Sequence, residues 1–343
     1  MNSKKSKYFS FSKSYIGHNE DSCFACKNWG FVIDGATGLS GEHYTHYHSD
    51  AQWLAKKVSK YLKKYLSENN SIKDIVKNCI VFTTKQYDNV VKGRKIYDRP
   101  SCCLSLFRVE NDKISLFNIG DCTILIKYIN GNIEKIKNKD LCKIDKNSHE
   151  AVIKYKKEHD TTYLQAKKSV KTVFLKNRML KNTPEGYYIF CDDVSAVEHA
   201  ILKTIDKNDV DKIIIVSDGF SQYFDTFKFC DYQSFFDLLK SKKDAKQLYN
   251  HLLESQLLDN ECENFNRFKV SDDASLIYWE NNIWKNNKSE NISKADLSNY
   301  RKSKNKTLNR NKIKKCFIFF HKVFITWYRN SSLNKLFIIF SLL

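Results

Sequence analysis

Breakers of regular structure are scarce in this chain, with two prolines and ten glycines among 343 residues. That scarcity excludes proline-rich linkers and makes the position of each glycine informative. Met1 to Lys13 carries charges and hydroxyls but no apolar core of the kind a secretory leader needs. No run of apolar residues reaches the roughly 20 positions that a membrane-spanning helix requires. A cytoplasmic location is therefore expected, with the eleven cysteines reduced and mostly buried inside apolar runs. Cys23 and Cys26 make one C-x-x-C pair, but no second pair and no suitably spaced histidines complete a zinc site. Gly35, Gly38 and Gly41 lie close together without the Gly-Lys-Ser/Thr ending of a nucleotide-binding loop. A cysteine phosphatase, which needs a low-pKa thiolate in a C-x5-R loop, is not expected either.

What the chain has in quantity is apolar and basic. Hydrophobic residues make up 42% and aromatics 14%, enough for a sizeable core. Basic residues outnumber acidic ones by 58 to 39, unevenly along the chain. From Asn281 onward there are 14 basic and 2 acidic residues, which leaves 44 against 37 for the first 280. The body is thus mildly basic and the tail is a separate electrostatic object. The expected organisation is a domain over residues 1–280, a flexible Asn/Lys/Ser-rich linker over 281–311, and a basic apolar segment over 312–343.

Period-2 patterns predict strands at Tyr8 to Ser14, at Ser22 to Ile33 with a break at Lys27-Asn28, and at Cys102 to Val109. Further strands are predicted at Lys113 to Asn118, Cys122 to Ile129, Gly186 to Cys191, Lys212 to Val216 and Ala274 to Glu280. Helical periods cover Ser49 to Leu66, Ile72 to Tyr87, a lysine-rich stretch from Lys146 to Val170, Tyr232 to Lys240 and Asp244 to Leu257. Strands cluster in hairpins with helices between and after them, which points to antiparallel sheets covered by helices.

Carboxylates recur beside these strands. Asn19-Glu20-Asp21 precedes one, and Asp34-Gly35 closes the run Phe31-Val32-Ile33. Gly120-Asp121 lies between two more; Ser217-Asp218-Gly219 follows Ile213 to Val216, and Asp272-Asp273 opens Ala274 to Ile277. A carboxylate beside an apolar strand is costly to bury unless its charge is compensated. A single Asp-Gly is usually only a turn. Several carboxylates converging on one end of a sheet repel one another, and a hard divalent cation with oxygen ligands resolves that repulsion. Glycine after Asp34 and Asp218 is expected to permit a sharp turn and leave a carbonyl free to approach an ion.

In this order and spacing, from about Tyr8 to Glu280, the elements resemble the metal-dependent protein phosphatases of type 2C. The resemblance implies an α+β fold, an α-β-β-α sandwich of two antiparallel sheets flanked by helices, with a dinuclear Mn²⁺ or Mg²⁺ centre at one end. It implies that Asp34 bridges the two metals, that the Gly35 carbonyl binds one, and that Asp218 and Asp272 hold the other; these three aspartates are the catalytic candidates. Glu20 and Asp21 would contribute directly or through water, and Asp121 would join Asp218 at a weaker third metal. The implied activity is serine/threonine phosphoprotein hydrolysis by metal-activated water, without a covalent phospho-enzyme. Two positions depart from the family. Ile16 stands where a phosphate-gripping arginine is common, and Ala36 where some members have a histidine. The first departure motivates an alternative, a catalytically weak phosphoprotein-binding module on the same fold, and leaves Lys13 or His18 as substitutes for the arginine.

Two further features carry weaker expectations. His43, His46 and His48, with Glu42 and Asp50 nearby, read as a solvated loop leading into a helix. The tail from Lys312 to Leu343 alternates apolar runs with His321, Lys322, Arg329 and Lys335. It predicts docking on an anionic membrane surface or on a partner protein. No nucleic-acid module surrounds its basic residues, so nucleic acid is not an expected partner.

Overall fold

A computed structural model describes residues 7–36, 38–40, 42–91 and 98–281, all within one compact unit, Met1–Trp284. The predicted linker from residue 282 onward and the basic apolar segment lie outside the described residues, as do Thr37 and Gly41. No helix among the described residues is long and apolar enough to cross a membrane.

Ten strands among the described residues form two antiparallel sheets. The first sheet joins β1 (Lys7–Lys13), β10 (Ala274–Glu280), β9 (Val210–Val216), β6 (Thr123–Tyr128) and β7 (Ile133–Ile136), in that spatial order. The second joins β2 (Ser22–Ala25), β3 (Trp29–Ala36), β4 (Ser101–Glu110), β5 (Lys113–Ile119) and β8 (Ile201–Asp206). Helices α1 (Asp50–Tyr65) and α2 (Ile72–Val90) cover the second sheet. Helices α6 (Asp218–Asp225), α7 (Tyr232–Leu238) and α8 (Lys242–Leu258) cover the first. Three more helices, α3 (Lys139–His159), α4 (Tyr163–Ser169) and α5 (Lys171–Met179), share a small core of Val152, Tyr163, Ala166 and Cys262.

This four-layer order explains why the central strands are apolar without alternation. In β9, Ile213 and Ile215 face the inter-sheet core, while Ile214 and Val216 face the helices. Both sides are dry, so neither needs polar residues. The inter-sheet layer is completed by Val32, Leu116, Ile124, Ile277 and Trp279. Helix starts follow the expected chemistry: Ser49, Ser71 and Ser241 each accept a backbone N–H as N-caps.

Several predicted elements differ from the structure. Asp34-Gly35 does not close its strand, because β3 continues to Ala36. Gly186 to Cys191 is not a strand but irregular chain with isolated bridges at Tyr187 and Phe190. The helical stretch predicted at Lys146 to Val170 is two helices, α3 and α4, broken at the left-handed Asp160, with α3 starting earlier at Lys139 and an unpredicted α5 following Val170. Strands β7 and β8 and helix α6 were not legible, being short or only weakly alternating.

Candidate active site

Strand register brings the acidic elements together. Ile33 pairs with Ser22, so Asp34 lies beside Asp21 at the β2–β3 end. Asp34 pairs with Cys103, and Leu104 with Ile119, which sets Gly120-Asp121 on the far side of Cys103. In the other sheet, Val216 pairs with both Thr123 and Leu276. Asp218 therefore stands between Asp121 and Asp272-Asp273. The two sheets are tied at this end by the Glu20 N–H, which donates to Asp273 Oδ2 at 2.6 Å. The Ser217 N–H donates to the Ser275 carbonyl, and the Ser275 N–H to Ser217 Oγ, both at 2.9 Å. Asp218 N–H points at Asp34 Oδ2 at 3.4 Å, a long contact.

Gly35 and Gly219 have a different use from the one their Asp-Gly context suggests. Neither bends the chain: Gly35 is inside β3 and Gly219 is in the first turn of α6. A Cβ on Gly35 would sit 2.5 Å from the Glu20 carbonyl oxygen, and one on Gly219 would sit 2.0 Å from that of Asp273. Both glycines permit close approach of the acidic segments. Gly120 does need positive φ, at +84°, and a Cβ there would meet Cys103.

The electrostatics are those of charges crowded with too little compensation. Burial raises the pKa of Asp21, with Asp273, Asp272 and Asp218 adding to it. Burial likewise raises that of Asp34, reinforced by Asp218, Asp21 and Asp121. Asp218 is raised by burial and then by Asp121, and Asp273 by burial. Asp272 is also raised by burial, although Lys269, whose Nζ is 2.7 Å from Asp272 Oδ1, works against it. Asp21 is 2% exposed, and its Oδ2 is buried without a hydrogen-bond partner among the described residues. An orphaned carboxylate oxygen among like charges fits a cation. Still, no three His, Cys, Asp or Glu side chains among the described residues stand as a ready metal-binding group. The carboxylates share one end of the sandwich without closing into a coordination shell. Glu20 is placed here by its backbone, through its N–H on Asp273 and its carbonyl against Gly35.

Sequence reasoning missed the groups around this cluster. On α3, burial and then Asp121 and Asp218 push Asp145 up to about 7. Desolvation by the surrounding chain opposes the charge on Lys137 and on the solvent-reachable Lys269, but nearby aspartates outweigh it and hold both ammoniums above the usual lysine range. A lysine three residues before Asp272 carries no signal in the sequence. Its placement comes from Arg267, which is 4% exposed and donates to Asp259 Oδ2 at 2.6 Å and to the Gln256, Asp259 and Val270 carbonyls. This clamp shapes the segment from Asp259 to Asp272.

Other candidates fall away. Asp50 accepts the N–H groups of Tyr44 and Thr45 and the Tyr87 hydroxyl, so it builds the loop before α1. His46 packs tilted against Tyr47, and His48 stacks on His18. Cys23 and Cys26 donate to the Phe11 and Trp29 carbonyls and are free thiols. Cys102 and Arg108 do have C-x5-R spacing, but both lie in β4, about 20 Å apart at the usual rise per residue. Burial raises the Cys102 thiol, and Arg108 donates to the Asn70 carbonyl at 2.9 Å. That pair cannot cradle a phosphate. A recess of about 620 Å³ near Tyr128 and Asp209 lies at the other end of β6 and is lined by none of these aspartates.

The family profile described as Protein phosphatase 2C matches residues 17–258, well over half of the chain. The chain belongs to the protein phosphatase 2C family. Solved structures similar to the chain include serine/threonine phosphatases. The Mycobacterium tuberculosis enzyme PstP/Ppp is 13% identical, covering 80% of this chain and 98% of its own, with a TM-score of 0.46. The PstP catalytic domain in complex with 2 manganese ions is 15% identical, covering 80% and 97%, at 0.47. Stp1 from Staphylococcus aureus is 14% identical, covering 81% and 94%, at 0.47. No curated protein sequence matches the chain. The α-β-β-α architecture expected of a type 2C phosphatase is the one the sheets and helix layers form.

Proposed function

We propose that this member of the family is an active serine/threonine phosphoprotein phosphatase that uses two divalent cations, Mn²⁺ or Mg²⁺. The observation that carries the reading is the orphaned Asp21 oxygen within a group of mutually repelling carboxylates. Asp34, Asp218 and Asp272 would be the principal ligands. Glu20, Asp21 and the Gly35 carbonyl would complete the pair of sites, and Asp121 with Asp218 would serve a third, weaker ion. When bound, such ions supply an acidified water and offset charge on phosphoryl oxygens. The protein's own part is positional. Register sets Asp34 against Asp21 and Asp218 against Asp272, the bare Gly35 and Gly219 let the Glu20 and Asp273 backbones pack against them, and the Glu20 N–H on Asp273 ties the two sheets.

Ile16, 65% exposed, favours the second reading, a phosphoprotein-binding module with little turnover. The deciding measurement is Mn²⁺-stimulated hydrolysis of a phosphopeptide and an aryl phosphate, with EDTA and Asp218→Asn as controls. The expected result is activity lost under both controls. Activity indifferent to both sinks the two-metal reading, and bound metal without turnover establishes the binding module.

A further inference from the structure

The acidic cluster carries more negative charge than a site for a phosphate dianion can tolerate. Asp21, Asp34, Asp121, Asp218, Asp272 and Asp273 bring six carboxylates to one end of the sandwich. With all six ionised, two bound divalent ions would offset four of those charges and leave two to repel a dianion. Ile16, exposed at this end, adds no charge. The fold does bring two ammonium groups to the place. Lys137, just beyond β7, is 20% exposed and turned partly toward Asp225 at 3.8 Å. Lys269 is 56% exposed, with Nζ 2.7 Å from Asp272 Oδ1. It is also held from behind: Arg267 clamps its segment, and the Lys167 ammonium donates to the carbonyl of Phe268, the residue before it. A charged head that is reachable from solvent, on a backbone that is fixed, suits a contact made with an incoming anion.

We propose that Lys269 grips the phosphate of the incoming monoester, its ammonium shared between Asp272 and a phosphoryl oxygen. This rests on the phosphatase reading above. The competing account is that Lys269 only steadies Asp272.

The test uses the full chain with Lys269→Met, Lys269→Arg and, as a charge control, Lys113→Met. Lys113 begins β5, about 20 Å along the strand from Asp121, and pairs with Asp206 at its exposed end. Three quantities are measured: inorganic phosphate affinity by calorimetry in Mg²⁺ buffer, KM and kcat for an aryl phosphate, and Mn²⁺ affinity. Lys269→Met is expected to weaken phosphate binding about tenfold, as loss of a charge-assisted hydrogen bond does. KM should rise in step, with kcat less affected and Mn²⁺ affinity within about twofold of the native protein. Lys269→Arg should restore most of the phosphate affinity, and Lys113→Met should change nothing. Unchanged phosphate affinity in Lys269→Met, no phosphate binding by the native protein, or a loss of Mn²⁺ affinity parallel to that of phosphate would each overturn the proposal. Lys269-dependent phosphate binding without turnover leaves it standing while the hydrolase reading fails. Turnover with phosphate affinity indifferent to Lys269 does the reverse.

Discussion

Gly219→Ala sets two calculable effects against each other. Alanine in place of glycine within a helix is worth up to about 1 kcal/mol in propensity. Here the new Cβ would sit 2.0 Å from the Asp273 carbonyl oxygen and 3.2 Å from Asp272 Cβ. To reach ordinary contact near 3.4 Å, that carbonyl must retreat by about 1.4 Å, the difference from 2.0 Å. A backbone carbonyl cannot swing aside as a side chain can, and the Glu20 N–H is bonded to the same residue at 2.6 Å. A retreat that large belongs to the upper half of the about 1–3 kcal/mol that overpacking costs, so after the propensity gain the net loss is about 1–2 kcal/mol. For a domain of this size that lowers Tm by roughly 2–8 °C. The larger effect is on chemistry, because a misplacement of about 1 Å in a catalytic group can cost about 100-fold in rate. Thermal unfolding, and hydrolysis as a function of Mn²⁺ concentration, are the assays. Gly131→Ala is the control: its Cβ meets open space, but φ is +92°, so about 1–2 kcal/mol of strain is expected with normal activity. A Gly219→Ala protein as stable as the native one, and equally active at the same Mn²⁺, would refute the close-approach argument.

Two further perturbations probe the segment that carries Lys269 and Asp272. Arg267→Met leaves the buried Asp259 carboxylate without its ion pair and frees the Gln256 and Asp259 carbonyls, so about 3–5 kcal/mol should be lost in denaturant unfolding; a loss under 1 kcal/mol removes the clamp from the account. His149 stacks on Phe268 at 3.9 Å and contacts the Tyr163 hydroxyl, and burial followed by Lys167 lowers its pKa to about 4. The unfolded chain, with a histidine near 6.5, binds the proton more readily than the folded one. Stability is then complete above about pH 6.5 and falls as pH drops from there toward 4. Scans of Tm between pH 7.5 and 5 should show this decline in the native protein and a shallower one in His149→Gln; parallel curves would exclude His149 as the cause.

How much of this was readable from the sequence depends on how local each cause is. Strands such as Ala274 to Glu280 and helices such as α1 follow from hydrophobic period and serine caps, which act within a few residues. The family and the order of its acidic elements were legible for the same reason: each is a short motif beside an apolar run. That Asp34, Asp121, Asp218 and Asp272 lie in or beside strands was therefore legible from local sequence. Only the tertiary structure decided which of them become neighbours, because that depends on the register of strands far apart in the chain. It also decided what the glycines at 35 and 219 are for, since a clash with Glu20 or Asp273 has no trace in local sequence. The cationic partners belong to this second class. Lys269 reaches Asp272 in a loop that Arg267 and Asp259 brace from within and Lys167 from outside, and no period or motif encodes that shape.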